Sequence, residues 1–384
     1  MAQQLPRLVI APGKDATMRY ATRLAAPDPF ILLDDGKKRH VLVSVLEYGL
    51  AKRTLSKSKR HVVVLFEPYY DKVKKELAKR GEKGKIRRRH VLALIAAKYL
   101  REKKIRKVVM PPSAWAAHVA TLRENGIRVE LGTKRFYPER DIKTVKELKE
   151  INAVGRATVA ALDCCMEILR SSRPNAKGEL VHRGAKVTSE SLKRAARHVL
   201  LERDCEAPEL ILSHGLQTRF PHELGAGAIK EGEPVLFDFF CRSTESGYWF
   251  DLSRTVVIGK PSREYLALWR AVKEAQDAAL DKIRPGVRCG AVNAEIEDVF
   301  KKRGFATTDE EGFLHGAGHG VGLEIHESPT IGKGSADVLK AGMVVTVEPG
   351  LYYKKLGGAR LENTILVTRD GSKDLTRYPR RMAP

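Results

Sequence analysis

From residue 141 to residue 384 the sequence runs twice through one order of predicted elements: helix, helix, then strands. The first helix opens at DIKTVKELKEI, where Val145, Leu148, Ile151 and Val154 make an apolar stripe behind Asp141 as the expected N-cap. It is expected to run to about Leu169, where SSRPNAKG interrupts it. SESLKRAARHVLLERD (189–204) predicts the second helix, and ELILSHG, EPVLFDFFC and GYWFDLSRTVVIG read as strands. The second pass begins with a helix over 262–283, ended by Pro285-Gly286, and another over 291–305, closed by Gly304. GMVVTVEPGLYY and ARLENTILVT supply its strands. The two passes share little identity, so the repetition is one of structure, and it predicts a site fed by both halves.

The first 141 residues read differently. PFILLDD (29–35), HVLVSVLE (40–47), HVVVLFE (61–67), KVVM (107–110) and IRVEL (127–131) are strand-like, with helices predicted over 70–80 and 90–104. That alternation predicts a small α/β domain. Charge divides the chain at the same place. Residues 1–141 carry 33 Lys+Arg against 14 Asp+Glu, and the remainder 37 against 33. The total of +23 is therefore a property of the N-terminal part, and its basic stretch at 81–90 is expected to be exposed. A length of 384 residues suits two domains.

Several classes are excluded. Apolar residues at 43% with 30% charged describe a globular chain. The longest apolar runs, such as VLALIAA, fall short of the ~20 residues that a membrane helix needs. The N-terminus lacks the pattern of a secretory leader. Five cysteines without CxxC spacing fit a reduced, cytoplasmic protein.

Four segments carry chemistry. Asp238 and Asp251 lie in apolar, aromatic strand sequence, where a buried carboxylate is costly without a partner. Their separation of 13 is odd, and its midpoint falls in the turn-like STESG, so they are expected to face one side of a hairpin. Carboxylates that close stay ionised together only with a cation between them. HGAGHGVGLEIHESP places His315, His319 and His326 among small residues. Glu348 sits within VVTVEPG, and Arg360 and Glu362 head the strand of GARLENTILVT. Each of these alone reads most simply as a surface or structural residue. Together they supply more oxygen and nitrogen ligands than one tetrahedral site takes, which points to two divalent ions sharing carboxylates.

In segment order and local motif the chain resembles the pita-bread metallopeptidases: aminopeptidase P, prolidase and methionine aminopeptidase, whose fold creatinase shares. The resemblance implies an α+β chain. A C-terminal pita-bread domain with internal pseudo-duplication (141–384) would follow a smaller α/β creatinase-like domain (1–140). It implies metal ligands Asp238, Asp251, His319, Glu348 and Glu362, with Asp251 and Glu362 bridging. A metal-bridging hydroxide would attack the scissile carbonyl, with Glu348 moving the proton. By the same resemblance His326 meets the substrate carbonyl, and His222, in RFPHELGAG, and His315 line the pocket. Arg360 would orient a carboxylate. The Asp238–Asp251 spacing is two residues longer than is usual in the family, which preserves parity.

An N-terminal domain together with a complete ligand set is similar to the Xaa-Pro peptidases, aminopeptidase or dipeptidase. The implied cofactors are two divalent ions, Mn²⁺ first, with Co²⁺, Zn²⁺ or Fe²⁺ as alternatives. The implied substrate is a peptide with Pro second, and the implied assembly a homodimer. Two other readings stand beside this one. One is a non-catalytic pita-bread protein that binds nucleic acid or protein through its basic N-terminal domain. The other is a metal-dependent hydrolase of a non-peptide C–N bond.

Overall fold

The computed structural model describes residues 5–79, 88–132 and 135–384. Most of the basic stretch at 81–90 lies outside them. The chain divides into two compact units, Met1–Pro138 and Glu139–Pro384.

The N-terminal unit is built from β1 (Arg7–Ala11), α1 (Ala16–Thr22), β2 (Phe30–Asp34), β3 (Arg39–Val43), α2 (Val45–Leu55), β4 (His61–Leu65), α3 (Glu67–Lys79), α4 (Arg88–Glu102), β5 (Lys107–Met110), α5 (Ala116–Glu124) and β6 (Arg128–Leu131). Its six strands run β4-β3-β2-β1-β5-β6. The β1–β2 and β2–β3 pairs are antiparallel and the outer pairs parallel. Both faces of the sheet are covered, which is why β2 reads as an unbroken apolar run. Leu8, Ile31, Leu33 and Leu42 face one core, and Val9, Phe30, Leu32 and Val41 face the other. The strand predicted through Glu47 stops at Val43. Ser44 keeps an extended backbone as N-cap, and the Glu67 carboxylate accepts the free N–H of Val45 at 2.7 Å, so a helix starts there.

The C-terminal unit shows the two passes. The first holds α6 (Val145–Ser171), a small sheet of β7 (Arg173–Pro174), β8 (Leu180–His182) and β9 (Ala185–Lys186), then α7 (Ser189–Leu201), β10 (Cys205–Glu206), β11 (Ile211–His214), β12 (Pro234–Asp238), β13 (Cys241–Ser243), β14 (Trp249–Phe250) and β15 (Ser253–Val257). The second holds α8 (Arg263–Lys282), α9 (Cys289–Lys302), β16 (Gly318–Gly320), β17 (Glu327–Ile331), β18 (Val344–Val347), β19 (Gly350–Tyr353), β20 (Gly357–Arg360), β21 (Asn363–Val367) and β22 (Ser372–Asp374). Strands order as β11-β12-β15 in the first pass and as β17-β16-β18-β21-β22 in the second. Each helix pair closes its own core, α6 and α7 around Leu162, Met166 and Phe237, α8 and α9 around Trp269, Val272 and Phe300. Among the described residues no helix is long and apolar enough to cross a membrane.

Two local readings are corrected. Asp141 lies in a short 3-10 turn, Pro138–Asp141, and does not cap α6. Thr144 does, in a capping box with Glu147, because T-x-x-E satisfies two helix-end donors reciprocally. In the β12–β15 ladder the residue opposite Asp238 is Ser253 rather than Asp251. Pairing of Cys241 with Phe250 in β13–β14 sets that register and centres the turn one residue later than parity suggested. Asp251 and Ser253 alternate with Leu252, so Asp251 still shares the face of Ser253.

Candidate metal centre

The two passes deliver equivalent carboxylates. Asp238 ends β12 and Glu348 directly follows β18; Asp251 shortly precedes β15 and Glu362 directly precedes β21. Four carboxylates thus sit at corresponding strand ends, where apolar strands carry them into a shared interior. Asp238, Asp251 and Glu362 are all buried, Glu362 to 1% exposure.

Ligand atoms of Asp251, His319 and Glu362 lie within 4.8 Å of one another. His319 comes from β16, and its Nε2 is 3.6 Å from Asp251 Oδ2 and 3.3 Å from Glu348 Oε1. Ser253 Oγ joins Asp238 to Glu362, at 2.9 Å from Asp238 Oδ1 and 2.8 Å from Glu362 Oε2. All five expected ligands therefore belong to one connected cluster.

The cluster's electrostatics call for positive charge. Burial, followed by the charge of Asp238, drives the Asp251 carboxyl well above its ordinary range. Burial and the neighbouring Asp251 do the same to Glu362. Burial opposes ionisation of His319, but its hydrogen bond and charge pairing with Glu348 outweigh that and raise it. The same contact holds the Glu348 carboxyl low against its own desolvation. Glu362 Oε1 is buried with no hydrogen-bond partner. An orphaned carboxylate oxygen inside an anionic, oxygen-rich cluster is the donor that a divalent ion would use, so these residues fit such ions.

A surrounding layer fixes the expected ligands. Arg360 donates from its guanidinium to Asp238, from Nε to Ser253 Oγ at 3.0 Å and from Nη1 to the Tyr352 hydroxyl at 2.6 Å. That hydroxyl lies 2.8 Å from His315 Nε2, while His315 Nδ1 meets Gly316 O at 2.8 Å. Burial keeps the His315 ring below its usual pKa and pushes the Tyr352 phenol up to about 12, so both are neutral partners. Gly350 makes room for the pair: a Cβ there would stand 2.5 Å from the Tyr352 hydroxyl. Thr346 accepts the His319 N–H at 3.0 Å and donates to Glu348 at 3.2 Å. Buried Arg254 donates to the carbonyls of Ser253, Glu362, Tyr378 and Pro379, tying down the backbone that carries Glu362.

His326 meets the His319 ring edge-on, centroids 4.3 Å apart. His222 is exposed on the loop after β11 and acts electrostatically on His326. The expected pocket residues His222, His315 and His326 thus flank the cluster without joining its ligand trio. Sequence reasoning missed Ser253, Thr346, Tyr352 and Arg254. Ser253 and Thr346 stand two residues from an expected ligand on the same strand face, whereas Tyr352 lies on β19, in a separate two-stranded sheet.

Two curated relatives, the Xaa-Pro dipeptidases of Pyrococcus horikoshii and Pyrococcus furiosus, are each 31% identical over 246 residues, 63% of this chain. The match spans just under two thirds of their own length, 65% and 66%. Among solved structures, the Xaa-Pro dipeptidase from Bacillus anthracis superposes with TM-score 0.80 at 23% identity, over 98% of this chain and 94% of that one. The prolidase from Pyrococcus furiosus does so with TM-score 0.77 at 24% identity, over 98% and 97%. These likenesses establish the pita-bread fold with its N-terminal α/β domain. The model of metallopeptidase family M24 matches residues 149–369, more than half of the sequence, and the chain belongs to that family.

Proposed function

We propose that this chain is a peptidase that hydrolyses Xaa-Pro bonds, dipeptides foremost, with two divalent ions, Mn²⁺ first, held by Asp238, Asp251, His319, Glu348 and Glu362. The observation that carries the reading is the convergence of Asp251, His319 and Glu362 within 4.8 Å around a carboxylate oxygen that has no partner. The names of the Pyrococcus relatives support the choice of substrate.

When bound, such ions supply Lewis acidity and a water nucleophile at neutral pH. The chain's own residues do the rest. Glu348 accepts the proton that the attacking water gives up and returns it to the proline nitrogen, which cannot leave as an anion. An Xaa-Pro bond has no N–H, so recognition falls to shape and to groups on the carbonyl side. His326, edge-on to His319, donates to the carbonyl oxygen as it gains charge. His222, exposed on the loop after β11, and neutral His315, fixed by Tyr352, line the substrate side.

The test is direct. Full-length protein stripped of metal and resupplied with Mn²⁺ should release the N-terminal residue from Xaa-Pro dipeptides and leave Xaa-Ala controls intact, and Glu362→Ala should abolish release. Failure to cleave any Xaa-Pro peptide with Mn²⁺, Co²⁺, Zn²⁺ or Fe²⁺ overturns the reading.

A further inference from the structure

Eight residues beyond His319 the chain places another buried carboxylate, one that takes no part in the cluster. Glu327 is gripped from both sides. Lys143 Nζ lies 2.5 Å from Oε1, and Arg140 Nη2 lies 2.6 Å from Oε2. The side chains of Lys143 and Glu327 are 1% and 9% exposed. Lys143 also donates from Nζ to the Arg140 carbonyl at 2.8 Å and from its backbone N–H to the Gly342 carbonyl at 2.8 Å. The two cations come from the turn ahead of α6, 184 and 187 residues away in sequence.

The grip sits beneath the loop that carries both histidines. Glu327 pairs with Gly320 in the β16–β17 ladder, across a register shift between His319 and Gly320. Its carboxylate occupies the space under Gly322, where a Cβ would come within 2.2 Å of Oε1. The loop from Gly320 to Glu327 is therefore closed by the backbone pairing of its two ends, and its middle, at Gly322, rests on the Glu327 carboxylate. Gly342, the other anchor, opens the approach to β18 and Glu348. Ion pairs this buried gain little over an apolar contact, whereas their directionality fixes register.

We infer that Lys143 and Arg140, acting through Glu327, are positioning residues for His326: the clamp holds the 320–327 loop so that the His326 ring stands against His319. The inference rests on the proposed peptidase reading for its kinetic arm only.

The experiment uses the full chain with Mn²⁺ and an Xaa-Pro dipeptide. Lys143→Met should lower kcat about tenfold or more with KM changed less than threefold, and Lys143→Arg should restore most of it. In a His326→Ala background the same Lys143→Met change should cost less than twofold, because the group it positions is gone. Full additivity of the two losses overturns the inference, as does an unaltered kcat. Should Lys143→Met not fold, the milder Arg140→Gln carries the same cycle: its partner Glu327 is also reached by Lys143, and its second partner, Glu324 at 2.9 Å, lies on the same loop. A second readout needs no turnover. Amide hydrogen exchange in 320–328 should rise in Lys143→Met while that of the α8–α9 pair stays at the wild-type rate. An inactive wild type with this exchange response sinks the peptidase reading and leaves the clamp standing; unchanged exchange sinks the clamp.

Discussion

Ser253 stands opposite Asp238 across the β12–β15 ladder, with its hydroxyl 2.9 Å from Asp238 Oδ1. The same oxygen is 2.8 Å from Glu362 Oε2 and accepts from Arg360 Nε at 3.0 Å. A hydroxyl has one proton, so it can donate to only one of the two carboxylates at a time. The other is left facing a lone pair, an unfavourable contact that a cation beside the two carboxylates would relieve.

Replacing this hydroxyl therefore tests the metal centre without touching a ligand. Ser253→Ala barely changes volume and should weaken Mn²⁺ binding by about 10–100-fold, the usual cost of losing an outer hydrogen bond to a metal ligand. Calorimetric titration of Mn²⁺ into stripped protein measures it. An affinity equal to wild type removes Ser253 from the centre.

Glu362 separates stability from function. Its carboxylate is 1% exposed, crowded by Asp251 and short of one partner. Without metal this charge opposes folding, so Glu362→Gln should melt no lower than the wild type when both are stripped. Wild-type protein at 100 times its Kd for Mn²⁺ gains about 2.7 kcal/mol, roughly 5–10 °C in Tm for a unit of this size. The Glu362→Gln protein should gain almost nothing. Equal metal-induced rises in differential scanning calorimetry contradict the assignment of Glu362 as a ligand.

What could be read in advance follows the range of the interactions. Asp238, Asp251, Glu348 and Glu362 stood out as carboxylates in apolar strand sequence and His319 as one of three imidazoles among glycines, but it was the family resemblance that named these five as a ligand set. The strand period, followed two residues from Asp251, Glu348 and Glu362, leads to Ser253, Thr346 and Arg360; only Arg360 was noticed, since hydroxyls are common in strands. The register of the β12–β15 hairpin was misjudged because parity limits facing but not which pair is opposite, and Cys241–Phe250 packing decides that. The α6 cap went to Thr144 over Asp141 because the box with Glu147 satisfies two donors where one side chain satisfies one. Arg254 and the Lys143–Glu327 contact join segments more than a hundred residues apart, and no local pattern encodes them.

Gly155 on α6 tests how the core supports the centre. A Cβ there would lie 2.6 Å from the ring of Phe250, which is fully buried and directly precedes Asp251. Gly155→Ala gains about 1 kcal/mol of helix propensity, but overpacking of a closed core costs about 1–3 kcal/mol. Overpacking should win, with a net loss of up to about 2 kcal/mol in urea unfolding. Displacing Phe250 should also weaken Mn²⁺ binding through Asp251. A variant more stable than wild type shows that the α6–β14 contact has slack.

In the N-terminal unit Asp34 anchors a buried charge pair. It accepts from Arg39 Nε at 3.0 Å, Arg60 at 3.2 Å, the Gly36 N–H at 3.1 Å and the Tyr137 hydroxyl at 3.3 Å. Burial works to raise its carboxyl, but these partners, Arg39 foremost, outweigh it and hold the pKa below the ordinary 3.8. A carboxylate whose folded pKa is depressed contributes stability above its unfolded pKa and loses it as pH falls through the folded one. Asp34→Asn leaves Arg39 buried without its counter-charge, at a cost of about 3–5 kcal/mol near neutrality. The deficit should stay constant from pH 8 down to about pH 5 and narrow only below about pH 4. Urea unfolding of wild type and variant across that series measures it. A deficit that narrows above pH 5 instead assigns the effect to a group other than Asp34.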